Sequence, residues 1–299
     1  MKIAMITDHL LSGGKERRMV ELMKVLSKNK KYQFHVIILE GTDESSIAYK
    51  DILECPVNIS YLGKYNRLQL VWQLYFLSKK ERFDIIHLWA ALVYGYILAP
   101  THYLLQIPII SSSITSARKQ GGKKFWLNKF TYHFYDKVLS NCQQAFIINQ
   151  VPKDKAICIY NGFNPERLKI KTPIETIRER YKINTSLIVS MASEYSKRKD
   201  YPLFVNAANK VLSINSDVTF LAMGSGDATP YEALIDKKFT DRIKFVGRVT
   251  DVESVYNASD VIVLATMVEG VSNAITEGMS LGRVNQLFQL RDLLWVLQK

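Results

Sequence analysis

The chain is 299 residues long, which suits two domains of about 150 residues better than one. Hydrophobic residues make up 47% and charged residues 23%, a balance that excludes a disordered, collagen-like or disulfide-scaffold protein. The formal charge of +12 is uneven: residues 1–165 carry 22 Lys/Arg against 12 Asp/Glu and residues 166–299 carry 18 against 16, so the first half faces something anionic.

The first forty residues read as strand, turn, helix, strand. Lys2–Thr7 is a short apolar run too soon interrupted by polar residues for a signal peptide. Ser12-Gly13-Gly14 is a flexible turn, Met19, Leu22, Met23 and Leu26 repeat at helical spacing, and Phe34–Leu39 is rich in β-branched residues. Such a βαβ unit implies a parallel sheet. The pattern predicts further strands at Asp84–Leu88, Ile109–Ser112, Ala145–Ile148 and Ala156–Ile159, with helices over Leu92–Leu105 and Phe125–Leu139. Asp84–Ile110 is apolar enough to raise the question of a membrane span. His87, Pro100, His102, Gln106 and Pro108 interrupt it, and two strands around a buried helix fit better.

After residue 165 the texture changes. Residues 166–184 are charged, contain Pro173 and read as a linker. A second series follows, with strands at Ser186–Ala192, Val218–Met223, Ile243–Val246 and Val261–Leu264. Helices alternate with them at Tyr201–Leu212, Tyr231–Lys238, Val252–Asn257 and Asn273–Leu281. The fold class is therefore α/β: two doubly wound Rossmann-like domains, 1–165 and 185–283, facing across a cleft. Cys55, Cys142 and Cys158 form no CxxC pair, which points to a reducing compartment and no structural zinc. Nucleic-acid binding lacks an RNP, zinc-finger or helix-turn-helix signature.

Four segments carry candidate chemistry. Gly13 and Gly14 let backbone amides approach an anion where a helix begins, although the same pair serves an ordinary turn. Neither GxGxxG nor a P-loop occurs. Met223-Gly224-Ser225-Gly226 ends a strand with small residues that admit a ligand or make a tight turn, and Arg248 and Val249 in Phe245-Val246-Gly247-Arg248-Val249 follow the next strand, where backbone groups meet a nucleobase edge. The strongest is Glu269-Gly270-Val271-Ser272-Asn273-Ala274-Ile275-Thr276-Glu277. Its two carboxylates flank a small polar loop that opens a helix, so that amides of Val271, Ser272 and Asn273 point at a phosphate while Glu277 accepts from ribose hydroxyls. In isolation the pattern also describes a capped helix with exposed acids.

The order Ser-Gly-Gly-Lys-Glu-Arg (12–17), Ile-Tyr-Asn-Gly-Phe-Asn-Pro-Glu-Arg-Leu (159–168), Ser-Glu-Tyr-Ser-Lys-Arg-Lys-Asp-Tyr-Pro (193–202), Gly-Ser-Gly (224–226), Phe-Val-Gly-Arg-Val (245–249) and then Glu269 to Glu277 resembles the retaining family 4 glycosyltransferases of the GT-B fold. The resemblance implies transfer of a hexose from a UDP- or GDP-sugar to a polysaccharide or lipid-linked acceptor, with no metal or other cofactor. By position Lys199 would grip the donor diphosphate and Glu269 would sit near the sugar. Relatives often carry an Arg five residues before that Lys, where this chain has Glu194, and Arg198 is the local substitute. Many also place a His after the strand at Ile109–Ser112; residues 111–118 contain none, and His9 lies nearest the place.

Arg118, Lys119, Lys123, Lys124, Lys129 and Lys137 are interleaved with Phe125, Trp126, Phe130, Tyr132, Phe134 and Tyr135. That composition suits an anionic bilayer surface and hence a cytoplasmic protein peripheral to the membrane, and equally a solvated amphipathic helix. Beyond Gly282 the family pattern stops. One back-translation of residues 284–292 encodes, in another frame, Lys-Pro-Val-Ile-Ser-Thr-Ala-Gly, the continuation the family leads one to expect. A frameshift near residue 283 would make 284–299 an aberrant tail, with Leu287, Leu290, Leu294 and Leu297 at helical spacing over an incomplete sheet. Two alternatives to the enzyme stay open on these residues: an inactive remnant that keeps nucleotide binding, and a basic surface-binding module without chemistry.

Overall fold

Alternating short apolar strands and helices give two parallel sheets in the computed structural model, which describes residues 1–11, 13–63, 65–114, 121–169, 172–267 and 269–289. They lie in two units, Met1–Asn161 and Gly162–Lys299. In the first unit β1 (Lys2–Thr7), α1 (Gly14–Leu26), β2 (Gln33–Ile38) and β3 (Val57–Tyr61) step one way across the sheet. The chain then returns through α2 (Arg67–Glu81) to β4 (Ile85–Leu88) on the other side of β1. It continues through α3 (Gly95–Leu105), β5 (Ile109–Ile114), α4 (Gly122–Thr131), β6 (Lys137–Ser140), α5 (Gln143–Asn149) and β7 (Ala156–Cys158). The strand order is β3-β2-β1-β4-β5-β6-β7.

Both faces of this sheet are covered, as parallel sheets require. Met19, Val20 and Met23 of α1 pack with Met5, Val36 and Ile38 on one face. Leu70 and Leu74 of α2 join Ile97 and Leu98 of α3 over Ile6, Ile86 and Leu88 on the other.

In the second unit α6 (Ile174–Arg180) precedes β8 (Leu187–Ala192), α7 (Tyr201–Ile214), β9 (Val218–Met223), α8 (Thr229–Glu232) and β10 (Ile243–Phe245). After α9 (Val252–Ala258) the direction reverses to β11 (Val261–Thr266), α10 (Asn273–Ser280) and β12 (Val284–Gln289), giving the order β10-β9-β8-β11-β12. An apolar cavity of about 370 Å³ lies between Leu203 and Val211 of α7 and Val189, Val218 and Val263 of the sheet. In each sheet strand order reverses beside the first strand, at β1/β4 and at β8/β11, and ligands of open α/β sheets sit beyond the carboxyl ends of such a pair.

Three expectations are corrected. Phe125–Leu139 is not one helix: α4 ends at Thr131, a 3-10 turn covers Tyr132–Phe134, and Lys137–Ser140 is β6. Asp136 fixes that change by accepting the Ile109 backbone N–H at 2.7 Å, which starts β6 in register with β5. With the slot between β5 and β7 filled by β6, Ala145–Ile148 is helical and belongs to α5, which buries Ala145, Phe146 and Asn149. The tail is not helical from Leu287: Val284–Gln289 is a strand, paired in parallel with β11 from Val261↔Val284 to Thr266↔Gln289. The open edge of β11 offers six residues of backbone pairing, which outweighs a few leucines at helical spacing. Leu290, Leu294 and Leu297 lie outside the described residues, as do Ser12, Arg118 and Lys119. β3 and α2 were missed in the sequence.

Candidate functional site

The loop that follows β8 is the hub of the second unit's carboxyl-end surface. Ser193 N–H donates to the Met223 carbonyl (2.9 Å) and Tyr195 N–H to the Ser225 carbonyl (2.7 Å), tying the loop to the end of β9. The Tyr195 hydroxyl donates to the Ala222 carbonyl (2.8 Å) and accepts from the Gly247 N–H (3.1 Å), which adds the end of β10. On the opposite side the Arg198 carbonyl accepts from the Met267 N–H (3.0 Å) at the end of β11. Asp200 then caps α7 by accepting the Leu203 N–H at 3.2 Å.

This lattice explains the glycines. A Cβ on Gly224 would stand 1.9 Å from the Ser193 carbonyl oxygen, and Gly226 adopts φ +112° with the Tyr195 carbonyl 2.8 Å from where its Cβ would be. Both therefore let the β9 loop close on the β8 loop.

Lys199 and Glu269, seventy residues apart, meet across the β8/β11 reversal as a hydrogen-bonded ion pair. Their side chains are only 10% and 13% exposed. A pair so far out of water needs near-ideal contact to repay desolvation. Glu269, Gly270, Val271, Ser272 and Asn273 form the turn into α10, whose N-cap Ser272 accepts the Ile275 N–H through its hydroxyl at 3.4 Å. Glu277, a turn further on, is buried. Its charge, after burial itself, helps push the Tyr256 phenol well above its ordinary value. Arg198 lies 3.9 Å from Glu194, so the acid that replaces the expected Arg pairs with the local substitute. Of the two residues after β10, Arg248 is exposed, while Val249 is half-buried against the Val255/Tyr256 cluster.

In the first unit Gly13 is the N-cap of α1, which Gly14 begins. The carboxylate of Glu16, in the first turn, lies over Gly13, and a Cβ there would meet Glu16 Oε2 at 2.2 Å. The N-terminal dipole is thus already faced by the chain's own carboxylate. His9 Nδ1 is 3.8 Å from Glu16 and 4.0 Å from Asp8. Asp8, His9 and Glu16 bring ligating atoms within 4.8 Å of one another, a grouping the sequence reading did not anticipate. Lys15 sits 2.9 Å from Asp8 and 3.3 Å from Glu16, so the protein supplies its own cation there. Burial raises the Asp8 pKa, but Lys15 and His9 together bring it below the usual carboxylate range.

Residues 12–167 match the family described as Glycosyltransferase Family 4, and residues 185–285 match Glycosyl transferases group 1. The chain belongs to the family 4 glycosyltransferases. It is 25% identical over 311 aligned positions to the Escherichia coli UDP-Gal:alpha-D-GlcNAc-diphosphoundecaprenol alpha-1,3-galactosyltransferase, spanning 94% of this chain and 78% of that one. Anabaena HepE, solved in complex with UDP and glucose, superposes with a TM-score of 0.75 at 18% identity over 95% of this chain and 80% of HepE. A Rickettsia africae glycosyltransferase superposes at 0.78 and 20% identity over 96% and 78%. These likenesses carry the fold, which is GT-B.

The transferase thus brings Lys199, Glu269, Gly224, Gly226 and the 270–277 segment to one end of one sheet, while His9, Gly13 and Gly14 belong to the other unit. Tyr195, which joins the ends of β9 and β10, went unnoticed because one aromatic after a strand has no distinguishing spacing. Arg18 and Asn141 were missed because a lone arginine within a helix and a lone asparagine after a strand have no distinguishing spacing either, and Asn161 entered only as one residue of the 159–168 motif.

Proposed function

We propose that the transferase moves a hexose from a UDP- or GDP-sugar to a polysaccharide or lipid-linked glycan acceptor, with retention of configuration and without a metal ion. The observation that carries this reading is the buried Lys199–Glu269 pair at the β8/β11 reversal, beside the capped start of α10. The Lys199 ammonium has three donors, of which Glu269 takes one, and the others face a donor diphosphate. The amides of Val271, Ser272 and Asn273 share the charge that develops as the nucleoside diphosphate departs. Glu277 accepts from the ribose hydroxyls, Gly224 and Gly226 keep the nucleotide floor low, and Arg248 and Val249 border the base. Glu269 holds Lys199 and lies beside the transferred sugar. A front-side departure and attack on one face retains configuration and needs no base from the protein.

The E. coli relative is named for transfer from UDP-Gal to a diphosphoundecaprenol-linked sugar, which favours a lipid-linked acceptor here. The first unit adds an exposed apolar surface: Leu68, Trp72 and Phe76 recur every fourth residue on α2, and Trp126, Leu127 and Phe130 are exposed on α4. Lys79 and Lys80 lie in the last turn of α2, and Lys123, Lys124 and Lys129 belong to α4. Aromatic residues flanked by lysines suit the anionic cytoplasmic leaflet, a peripheral placement that fits the lipid-linked acceptor. Among the described residues no helix is long and apolar enough to cross a membrane.

The test is transfer from UDP-galactose, UDP-glucose or GDP-mannose to a polyprenyl-diphosphate-linked N-acetylhexosamine in EDTA, with the product anomer read by NMR. An α-linked product from one donor supports the reading. A β-linked product, or transfer only on adding a divalent ion, overturns the retaining, metal-free mechanism.

A further inference from the structure

Beyond the carboxyl ends of the first sheet lies a second polar cluster that the donor site does not use. Arg18 comes from α1, Trp89 follows β4, Asn141 follows β6 and Asn161 lies beyond β7, so one cluster draws on four elements around the β1/β4 reversal. Arg18 Nη1 donates to Asn161 Oδ1 at 2.7 Å, and Asn141 Nδ2 donates to the same oxygen at 3.1 Å. The guanidinium carbon lies 6.0 Å from the centre of the Trp89 ring. Its Nε donates to the Gly14 carbonyl at 3.4 Å.

A sheltered arginine ordinarily pairs with a carboxylate, because its charge is costly to take out of water alone. Among the described residues Arg18 has no carboxylate oxygen within 4.0 Å; its partners are an amide oxygen, a backbone carbonyl and an indole face. Burial lowers the Arg18 pKa and Glu16 works against that, but a guanidinium stays charged in proteins. Two neighbouring groups are also unsatisfied. Asn141 is 4% exposed and Trp89 6% exposed, and among the described residues neither Asn141 Oδ1 nor Trp89 Nε1 has a hydrogen-bond partner. Buried polar atoms without partners are rare in folded proteins. Together they offer a cation for an anionic oxygen, an acceptor for a hydroxyl and an N–H donor.

We propose that Arg18, Asn141, Asn161 and Trp89 form a binding site for a glycosyl phosphate, with Arg18 on the phosphate and Asn141 Oδ1 and Trp89 Nε1 on sugar hydroxyls. The ligand's role as acceptor rests on the transferase reading above; the existence of the site does not. A free sugar phosphate and a lipid-linked sugar diphosphate share this chemistry.

The protein labelled with ¹⁵N-tryptophan reports the site directly, since it has four indoles and Trp89→Phe assigns the relevant one. With UDP at saturation to occupy the donor site, the Trp89 indole N–H shifts saturably on titration with N-acetylglucosamine 1-phosphate. Arg18→Gln weakens that binding at least tenfold while UDP affinity by calorimetry stays within twofold, and Arg18→Lys recovers part of it. Asn141→Asp, which sets a second negative charge beside the phosphate, weakens it as well and covers the case in which Arg18→Gln lowers the melting temperature. In steady-state assays a tenfold rise in KM with little change in kcat for Arg18→Gln, seen with the polyprenyl-linked acceptor, assigns the lipid source; the same rise with the soluble sugar phosphate alone assigns the free one. An indole signal that does not move, or that moves equally in Arg18→Gln, overturns the site. Loss of UDP binding in the unaltered protein would instead count against the donor reading and leave the Trp89 titration readable.

Discussion

Replacing Lys199 by Ala strands the Glu269 carboxylate in a place where water barely reaches. Removing one partner of such a pair costs about 3–5 kcal/mol, whereas replacing both by apolar residues is close to neutral. Urea unfolding should therefore show a large loss for Lys199→Ala and a much smaller one for Lys199→Met with Glu269→Leu, although both abolish transfer. Equal losses would show that leaving Glu269 without Lys199 carries no added cost and would contradict this reading. Gly224 makes an independent prediction. With the Ser193 carbonyl 1.9 Å from the place of a Cβ, Gly224→Ala must push the β8 loop away, costing about 1–3 kcal/mol and displacing Lys199. Unchanged stability and nucleotide affinity in this variant would refute the close-packing account. At this scale the sequence announced the residue types but not their reasons. A Gly-Ser-Gly reads the same whether a phosphate or a neighbouring carbonyl presses on it, and the Lys199–Glu269 contact spans seventy residues that only the fold closes.

Single elements are tuned by caps and buried side chains. Asn66 begins α2 with a capping box, accepting the Gln69 N–H at 2.9 Å while Gln69 accepts the Asn66 N–H at 3.0 Å. Asn66→Ala should cost about 1 kcal/mol, seen as a lower midpoint in chemical unfolding. His87 links β4 to β5 by Nε2 to the Ser112 hydroxyl at 2.7 Å. Burial pulls its pKa down to about 4 from the ordinary 6.5. Between those values the unfolded chain binds the proton and the folded chain does not, so stability is fully present above pH 6.5, falls as the pH drops towards 4, and levels off below. His87→Gln should flatten that part of the melting curve against pH; an unchanged slope would remove His87 as its cause. Most elements were legible because apolar period and turn residues agreed. α2 was not, because Leu68, Trp72 and Phe76 point outward and erase the polar face that marks a surface helix. The stretch at 125–149 failed where helix and strand patterns abut with no Gly or Pro between them, and sheet pairing decided the outcome.

Across the molecule the surplus positive charge belongs mainly to residues 1–165, and the same unit carries the exposed aromatics of α2 and α4. Binding to vesicles should then need both anionic lipid and these side chains. Sedimentation with phosphatidylglycerol vesicles should fall severalfold for Trp72→Ala with Phe76→Ala, and for glutamines at Lys123, Lys124 and Lys129, with no loss of UDP binding. Binding that ignores lipid charge would contradict a membrane role. The two-sheet α/β architecture was readable from alternation alone, and the family from the order of its motifs. The placing of β12 was not, because an open strand edge recruits sequence by backbone pairing and leaves little trace in residue pattern. The most direct test of the whole account is calorimetric titration of UDP and GDP into the protein and its Glu277→Ala and Lys199→Ala variants. One site per chain, weakened at least tenfold by either substitution, is the predicted result. Absence of binding by both nucleotides, or an affinity that neither substitution alters, would contradict it.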